Sequence, residues 1–145
     1  MILLITGLLA GFLDGAAAVL LFMARGNRNP AVLFRFIASG VYGQAAFTGG
    51  IRMAWLGLIV HFLIALSFVA AYFGVCHFVS WPLLHPLAAA LVYGLLVWIV
   101  MNLLVVPLSR TAHRPFSWAF ALVNILILMG AIGVPAAWGA RLYFL

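Results

Sequence analysis

Long apolar runs separated by short polar segments make up most of the chain. About 20 apolar residues are enough for one transmembrane helix, and four of the runs reach that length. The predicted spans cover residues 2–23, 53–78, 87–108 and 117–139. We expect the last span to be bent or broken near Gly130, Gly133 and Pro135. The connecting segments leave no room for a water-soluble domain, so residues 1–145 form a single transmembrane domain. The pattern predicts an all-α polytopic membrane protein, built as a four-transmembrane-helix bundle.

Residues 31–50 form a further segment that is too polar and too rich in glycine for a comfortable span. They include Arg35 and Gln44 and many small residues. Asn29 followed by Pro30 is typical of a helix start, a capping residue and then a first-turn proline. Non-helical backbone at membrane depth must be covered by protein. The sequence therefore predicts an additional interfacial or re-entrant helix packed against the bundle, and both forms remain open.

The distribution of basic residues indicates the orientation. The chain has seven arginines, no lysine and a single acid. With four spans, only Arg141 lies on one side of the membrane. The positive-inside rule then favours cytoplasmic arginine-rich loops and two periplasmic termini, whereas a crossing at 31–50 would divide the arginines more evenly. Six arginines share the predicted cytoplasmic side: Arg25, Arg28, Arg35, Arg52, Arg110 and Arg114.

Composition identifies lipid as the solvent. The chain is 69% hydrophobic and 6% charged, whereas soluble domains are about 25% charged. Because the arginines lie beside apolar runs, we expect them to contact anionic lipids at the cytoplasmic face and not nucleic acid. With almost no soluble surface, the chain also offers lateral contacts to other membrane protein subunits or to a homo-oligomer.

Each predicted span carries one polar side chain at depth. An ionisable group at the bilayer centre costs roughly 2.5–3.5 kcal/mol, so it needs a partner or a purpose. Counting the helix rise from the inner ends places these groups about 10–15 Å deep, in one intramembrane polar layer. The members of this layer are Asp14, His61, Asn102 and Asn124.

Two interpretations of the polar layer stay open. In the first, the four side chains are hydrogen-bonded contacts that hold the bundle together. In the second, they form a proton-responsive or ligand-contacting cluster, in which the approach of Asp14 to a neutral His61 favours titration of one of the two near neutral pH. Pairing of Asp14 with Arg35 or Arg52 reaching inward is compatible with both, and would hold residues 31–50 over the layer.

Gly7, Gly11 and Gly15 form a stripe of small residues along the first span, at two overlapping GxxxG steps. Such a stripe permits close approach of another helix. We expect it to pack the first span inside its own bundle, in preference to forming a homodimer.

Other site chemistry is weaker. Cys76, His77 and His85 lie near one another in sequence, but adjacent Cys and His side chains cannot easily face one metal ion. A haem at His61 would need Met101 or a second protomer as the other axial ligand. The sequence has no nucleophile–base–acid set, no phosphate-binding glycine loop and no acidic pair. We therefore predict no cofactor and no metal, and an enzyme is less favoured than a non-enzyme.

Three functional hypotheses follow. The first is a structural or accessory component of a membrane assembly, without catalytic machinery. The second is a small transporter or channel subunit, with the Asp14 and His61 layer on its pathway and residues 31–50 as a gate. The third is a cofactor-binding or enzymatic protein.

Several motifs resemble a family of uncharacterised bacterial small polytopic inner-membrane proteins. They are Leu8-Leu9-Ala10-Gly11, Ile37-Ala38-Ser39-Gly40-Val41-Tyr42-Gly43, and Tyr93-Gly94 through Val97-Trp98 to Met101-Asn102. This resemblance covers almost the whole chain. More distantly, the span layout is similar to that of YagU-type inner-membrane proteins, which are associated with acid resistance. The resemblance implies a bacterial inner-membrane location and assigns no role to any residue.

Overall fold

The computed structural model describes residues 1–111 and 115–145, and its regular elements in those ranges are all helical. The α-helices are α1 (Ile2–Ala24), α2 (Pro30–Tyr42), α3 (Ala45–Thr48), α4 (Gly50–Phe78), α5 (Trp81–Leu84), α6 (Pro86–Val100), α7 (Val106–Leu108), α8 (Trp118–Leu128) and α9 (Val134–Phe144). One π-helical segment, Met101–Val105, joins α6 to α7, and a second, Met129–Gly133, joins α8 to α9.

Four helical stretches are long and apolar enough to cross a membrane: Ile2–Ala24, Gly50–Phe78, Pro86–Leu108 and Trp118–Phe144. We call them the first to fourth spans. The all-α four-span prediction is confirmed, although the fourth span extends past its predicted end at Gly139. Of the six arginines predicted at one end, Arg114 lies outside the described residues.

Neighbouring spans run antiparallel, as the contacts of their glycines establish. On α1, Gly7 lies against Leu66 of α4, and Gly15 lies against His61. In the same way, Gly94 of the third span lies against Met129 of the fourth. The C-terminal end of α1 and the N-terminal end of α4 are therefore at the same end of the bundle. The segment that joins them, residues 25–49, begins and ends at that same end of the bundle.

The additional helix α2 is confirmed as a non-spanning element. Its 13 residues span about 20 Å, which is short of the ~30 Å hydrocarbon core. It begins as the sequence predicts, because the Asn29 side chain accepts a hydrogen bond from the Ala31 N–H at 3.0 Å, with Pro30 in the first turn. Gly43 and Gly50 adopt φ values of 62° and 63°, so they supply the turns on either side of α3.

Helix α2 packs on the first half of α4. The closest approach is at Gly57, where a side chain would collide with the Phe34 carbonyl group. At its other end, the Gly40 carbonyl accepts a hydrogen bond from the Arg110 N–H at 3.0 Å. Helix α2 is thus held between α4 and the segment that follows the third span.

Both π-helical segments end two residues before a proline, Pro107 and Pro135. Proline has no N–H, and its ring collides with the carbonyl four residues earlier, so it disturbs a regular α-helix. Here the turn is widened: the Val106 N–H bonds to the Met101 carbonyl, and the Val134 N–H bonds to the Met129 carbonyl. The predicted interruption near Gly130, Gly133 and Pro135 takes the form of this wide turn within a continuous span.

Candidate functional site

A polar contact between α1 and α4 centres on His61. Its Nε2 atom lies 2.9 Å from the Gly11 carbonyl oxygen and 4.0 Å from Asp14 Oδ2. A carbonyl oxygen can only accept, so Nε2 must carry a proton and donate it. The ring is therefore either the neutral Nε2–H tautomer or the imidazolium ion. In both forms His61 connects α1 to α4, through two residues that are 50 positions apart in sequence.

The glycine stripe of α1 makes this contact possible. A side chain at Gly11 would come within 2.7 Å of the Phe62 ring, and one at Gly15 within 3.1 Å of His61 Nε2. At Gly7 it would collide with Leu66. All three glycines predicted for helix packing therefore face α4. The stripe brings the α1 backbone close enough for an imidazole ring to reach a main-chain acceptor.

Asp14 is the only acidic residue of the chain, and it lies beside this ring. Its side chain is 20% exposed and that of His61 is 11% exposed. At 4.0 Å the carboxylate is within ion-pair range but beyond hydrogen-bond distance. In residues 1–111 and 115–145 it is the only ion pair. The pair therefore places the one acid of the chain beside an imidazole ring, between two spans.

The two asparagines of the predicted layer are not joined to this pair. Asn102 is exposed on the π-helical segment of the third span, and its Nδ2 donates to the Trp98 carbonyl at 3.0 Å. Asn124 is half-buried on α8. The structure thus brings together Asp14 and His61, and Asn102 bonds within its own helix.

The register between the first and fourth spans explains the position of Asn124. The Arg25 guanidinium lies 4.3 Å from the Phe120 ring centroid, and Gly139 lies against Thr6. These antiparallel contacts place Asn124 level with about residue 21. That is about 10 Å closer to the arginine-rich end than Asp14.

The two arginines predicted as charge partners do not reach Asp14. Arg35 Nε lies 3.5 Å from the Ala31 carbonyl oxygen, and its Nη1 lies 3.5 Å from that of Phe47. Arg35 therefore connects α2 to α3. Arg52 is exposed in the first turn of α4. In the described part of the chain, neither forms an ion pair with Asp14.

Sequence reasoning missed a buried tyrosine pair, Tyr72 on α4 and Tyr93 on α6. The Tyr93 hydroxyl donates to the Phe68 carbonyl, and the Tyr72 and Tyr93 ring centroids are 4.8 Å apart. Tyr72 is 3% exposed, and among the described residues its hydroxyl is the one buried side-chain polar atom without a hydrogen-bond partner. The available signal was helical spacing, which puts Tyr72 on the face of α4 that carries His61.

The weak metal hypothesis at Cys76, His77 and His85 gains no support. Cys76 is buried, whereas His77 and His85 are exposed. In the ranges that the structure describes, no three His, Cys, Asp or Glu side chains are grouped closely enough to hold a metal ion.

Comparison of this chain with known protein families, with curated proteins and with solved structures found no match.

Proposed function

We propose that this integral membrane protein is a structural or accessory component of a membrane assembly, without catalytic machinery. The observation that carries the proposal is the geometry at His61, whose shorter polar contact is to a backbone carbonyl of a neighbouring span. Tyr93 uses its hydroxyl in the same way, on the Phe68 carbonyl. These polar groups connect helices, as packing contacts in membrane bundles do.

The outward surface of the bundle supports a role next to other proteins. Within the most apolar stretch of each of the first three spans, only 28% of residues are buried inside the chain, and in the fourth 39% are. The remaining surface faces lipid or neighbouring subunits. Because the glycine stripe is already covered by α4, contacts with other subunits or with a second copy would use other faces.

The proposed location is a bacterial inner membrane, with both termini in the periplasm and anionic lipids at the cytoplasmic face. Four exposed arginines support this orientation: Arg25, Arg28, Arg52 and Arg110. They lie at the end of the bundle where α1 ends and α4 begins. In residues 1–111 and 115–145 none of them is paired with a carboxylate, so they are available to lipid phosphates.

A second candidate is a small transporter or channel subunit with a proton-responsive Asp14 and His61 pair. The specific observation in its favour is the 4.0 Å approach of the only carboxylate to a histidine inside the spans. Intramembrane pairs of this type occur in proton relays of transporters. In this reading, α2 and α3 gate the end of the bundle beside the arginines.

The isosteric substitution Asp14→Asn distinguishes the two functions. For an accessory component, the variant keeps its partners during purification in mild detergent and only its thermal stability falls. For a transporter, wild-type protein in liposomes shows pH-dependent flux and Asp14→Asn abolishes it. Ser67→Ala is a matched control, because the Ser67 hydroxyl bonds only to the Leu63 carbonyl of its own helix. Flux that depends on Asp14 would overturn the accessory proposal.

A further inference from the structure

An open apolar groove of about 270 Å³ lies between the first and fourth spans. It is at the end of the bundle opposite Arg25, Arg28, Arg35 and Arg52. Its floor is the helix crossing at Thr6 and Gly139, where a side chain on the glycine would collide with Thr6. The close crossing brings the two backbones together, and larger side chains rise on both sides: Ile2, Ile5, Leu9, Pro135, Trp138 and Leu142.

Arg141 lies in a second pocket next to this groove. An adjoining open pocket of about 370 Å³ is lined by Arg141 and Leu145, and it shares Trp138 and Leu142 with the groove. Arg141 is exposed and makes no ion pair within the described residues. The positive-inside rule explains arginines at the other end of the bundle but does not explain this one.

We propose that the groove and Arg141 together bind one phospholipid of net negative charge, with an acyl chain along the groove and the phosphate at Arg141. A guanidinium presents a planar fork of donors that matches phosphate oxygens. Basic pockets between transmembrane helices bind anionic headgroups on the cytoplasmic or matrix side of membranes, and the same donor chemistry is present at Arg141. Trp138 belongs to both cavities, where an indole suits the boundary between headgroup and acyl chain.

The dimensions fit one acyl chain segment. From Ile2 to Leu9 the α1 wall of the groove extends about 10 Å along the helix. The walls belong to two helices that are in contact at Thr6 and Gly139, so the groove exists before lipid arrives. A lipid held there differs from the surrounding bilayer lipid in two respects: its chain has protein on both sides, and its charge has a fixed counterion. The site is independent of the assembly role proposed above.

The test is photo-crosslinking of the purified full-length chain in detergent. The probes are phosphatidylglycerol and phosphatidylcholine with the same diazirine-bearing acyl chain, and crosslinked peptides are mapped by mass spectrometry. We expect phosphatidylglycerol to label residues 2–9 and 135–142 in preference to phosphatidylcholine. Arg141→Gln lowers this labelling about fivefold, the effect of one basic residue at a lipid surface. Arg28→Gln, an exposed arginine at the other end, leaves it unchanged.

A second pair of variants tests the groove without touching the charge. Ile5→Trp fills it, and Leu20→Trp adds the same bulk elsewhere on α1; the two side chains are 57% and 69% exposed. We expect labelling to fall for Ile5→Trp only. If Ile5→Trp does not fold, judged by size-exclusion chromatography, Arg141→Gln decides alone. Equal labelling by both lipids, or unchanged labelling of Arg141→Gln, would mean that lipid contacts this surface without specificity. Either result would overturn the proposal.

Discussion

At the scale of single residues, His61 contributes through the acceptor it reaches. The Gly11 carbonyl keeps one proton on Nε2 whatever the charge of Asp14, so the bond between α1 and α4 exists for both forms of the ring. Any further proton has to enter at Nδ1. The histidine can therefore hold the helices together without being charged. The Asp14 carboxylate lies 4.0 Å from Nε2 of the same ring.

Replacing His61 by phenylalanine keeps a ring of similar size and removes the hydrogen bond to Gly11. We expect the free energy of unfolding to fall by about 0.6 kcal/mol and at most about 1.7 kcal/mol, the range measured for interhelical hydrogen bonds in membranes. The measurement is steric-trap unfolding in bicelles. Ser67→Ala, which removes a bond within one helix, serves as the comparison. A variant as stable as wild type would contradict the packing role of His61.

Half of the polar layer could be predicted from the sequence. Asp14 and His61 meet because they lie at similar distances from the same end of two antiparallel neighbours, and counting residues from the arginines captures that. The partner at Gly11 could not be predicted, since a backbone acceptor leaves no mark in the sequence. The position of Asn124 along the bundle axis could not be predicted either, because contacts such as Gly139 with Thr6 set the register of the fourth span.

At the scale of elements, the third and fourth spans touch backbone to backbone. Gly94 lies against the Met129 backbone, and Gly133 lies against the Ala90 carbonyl. Gly94 belongs to the third span and Gly133 to the fourth. Each span therefore has one glycine that leaves a recess for the backbone of the other span. The second recess belongs to the π-helical segment that precedes Pro135. A wide turn and a close helix contact thus occupy the same few residues.

Gly133→Ala and Gly130→Ala separate helix packing from helix propensity within one π-helical segment. A side chain at Gly133 collides with the Ala90 carbonyl, whereas nothing lies within 4 Å of one at Gly130. We expect Gly133→Ala to lower the free energy of unfolding by about 1–3 kcal/mol, the usual cost of overpacking. Gly130→Ala should be neutral or slightly stabilising. Equal effects in steric-trap unfolding would mean that the recess at Gly133 plays no part.

The elements themselves were largely predictable from the sequence, because apolar runs of sufficient length leave few alternatives to spanning helices. The start of α2 was also predictable, since a capping Asn29 and Pro30 act locally. The docking of α2 was not, because it depends on an absent side chain at Gly57 of another helix. The prolines predicted an interruption in the fourth span but not its form as a widened turn.

At the scale of the whole molecule, Arg25, Arg28, Arg35 and Arg52 share one end of the bundle with the segment after the third span. The link is direct, since the Arg110 N–H bonds to the Gly40 carbonyl of α2. The opposite end carries Thr6 next to Gly139, so the first and last spans close the bundle there. The described part of the chain therefore has two distinct ends, and one measurement of orientation assigns both ends to sides of the membrane.

Single cysteines at Arg110 and Leu145 test the orientation. The background is Cys76→Ala, because the native Cys76 is the only cysteine and is buried. We expect a membrane-impermeant maleimide added to intact cells with a permeable outer membrane to label Leu145→Cys. Arg110→Cys should be labelled only after the inner membrane is opened. Labelling of Arg110→Cys in intact cells would reverse the proposed topology.

The contact between Thr6 and Gly139 has a consequence for biosynthesis. The two residues are 133 positions apart, so at typical ribosome speeds the second is made roughly 7 to 27 s after the first. During that interval Thr6 lacks its final neighbour and faces lipid or an insertion factor. Slowing translation before the fourth span would prolong the time for which Thr6 lacks this neighbour in the nascent chain.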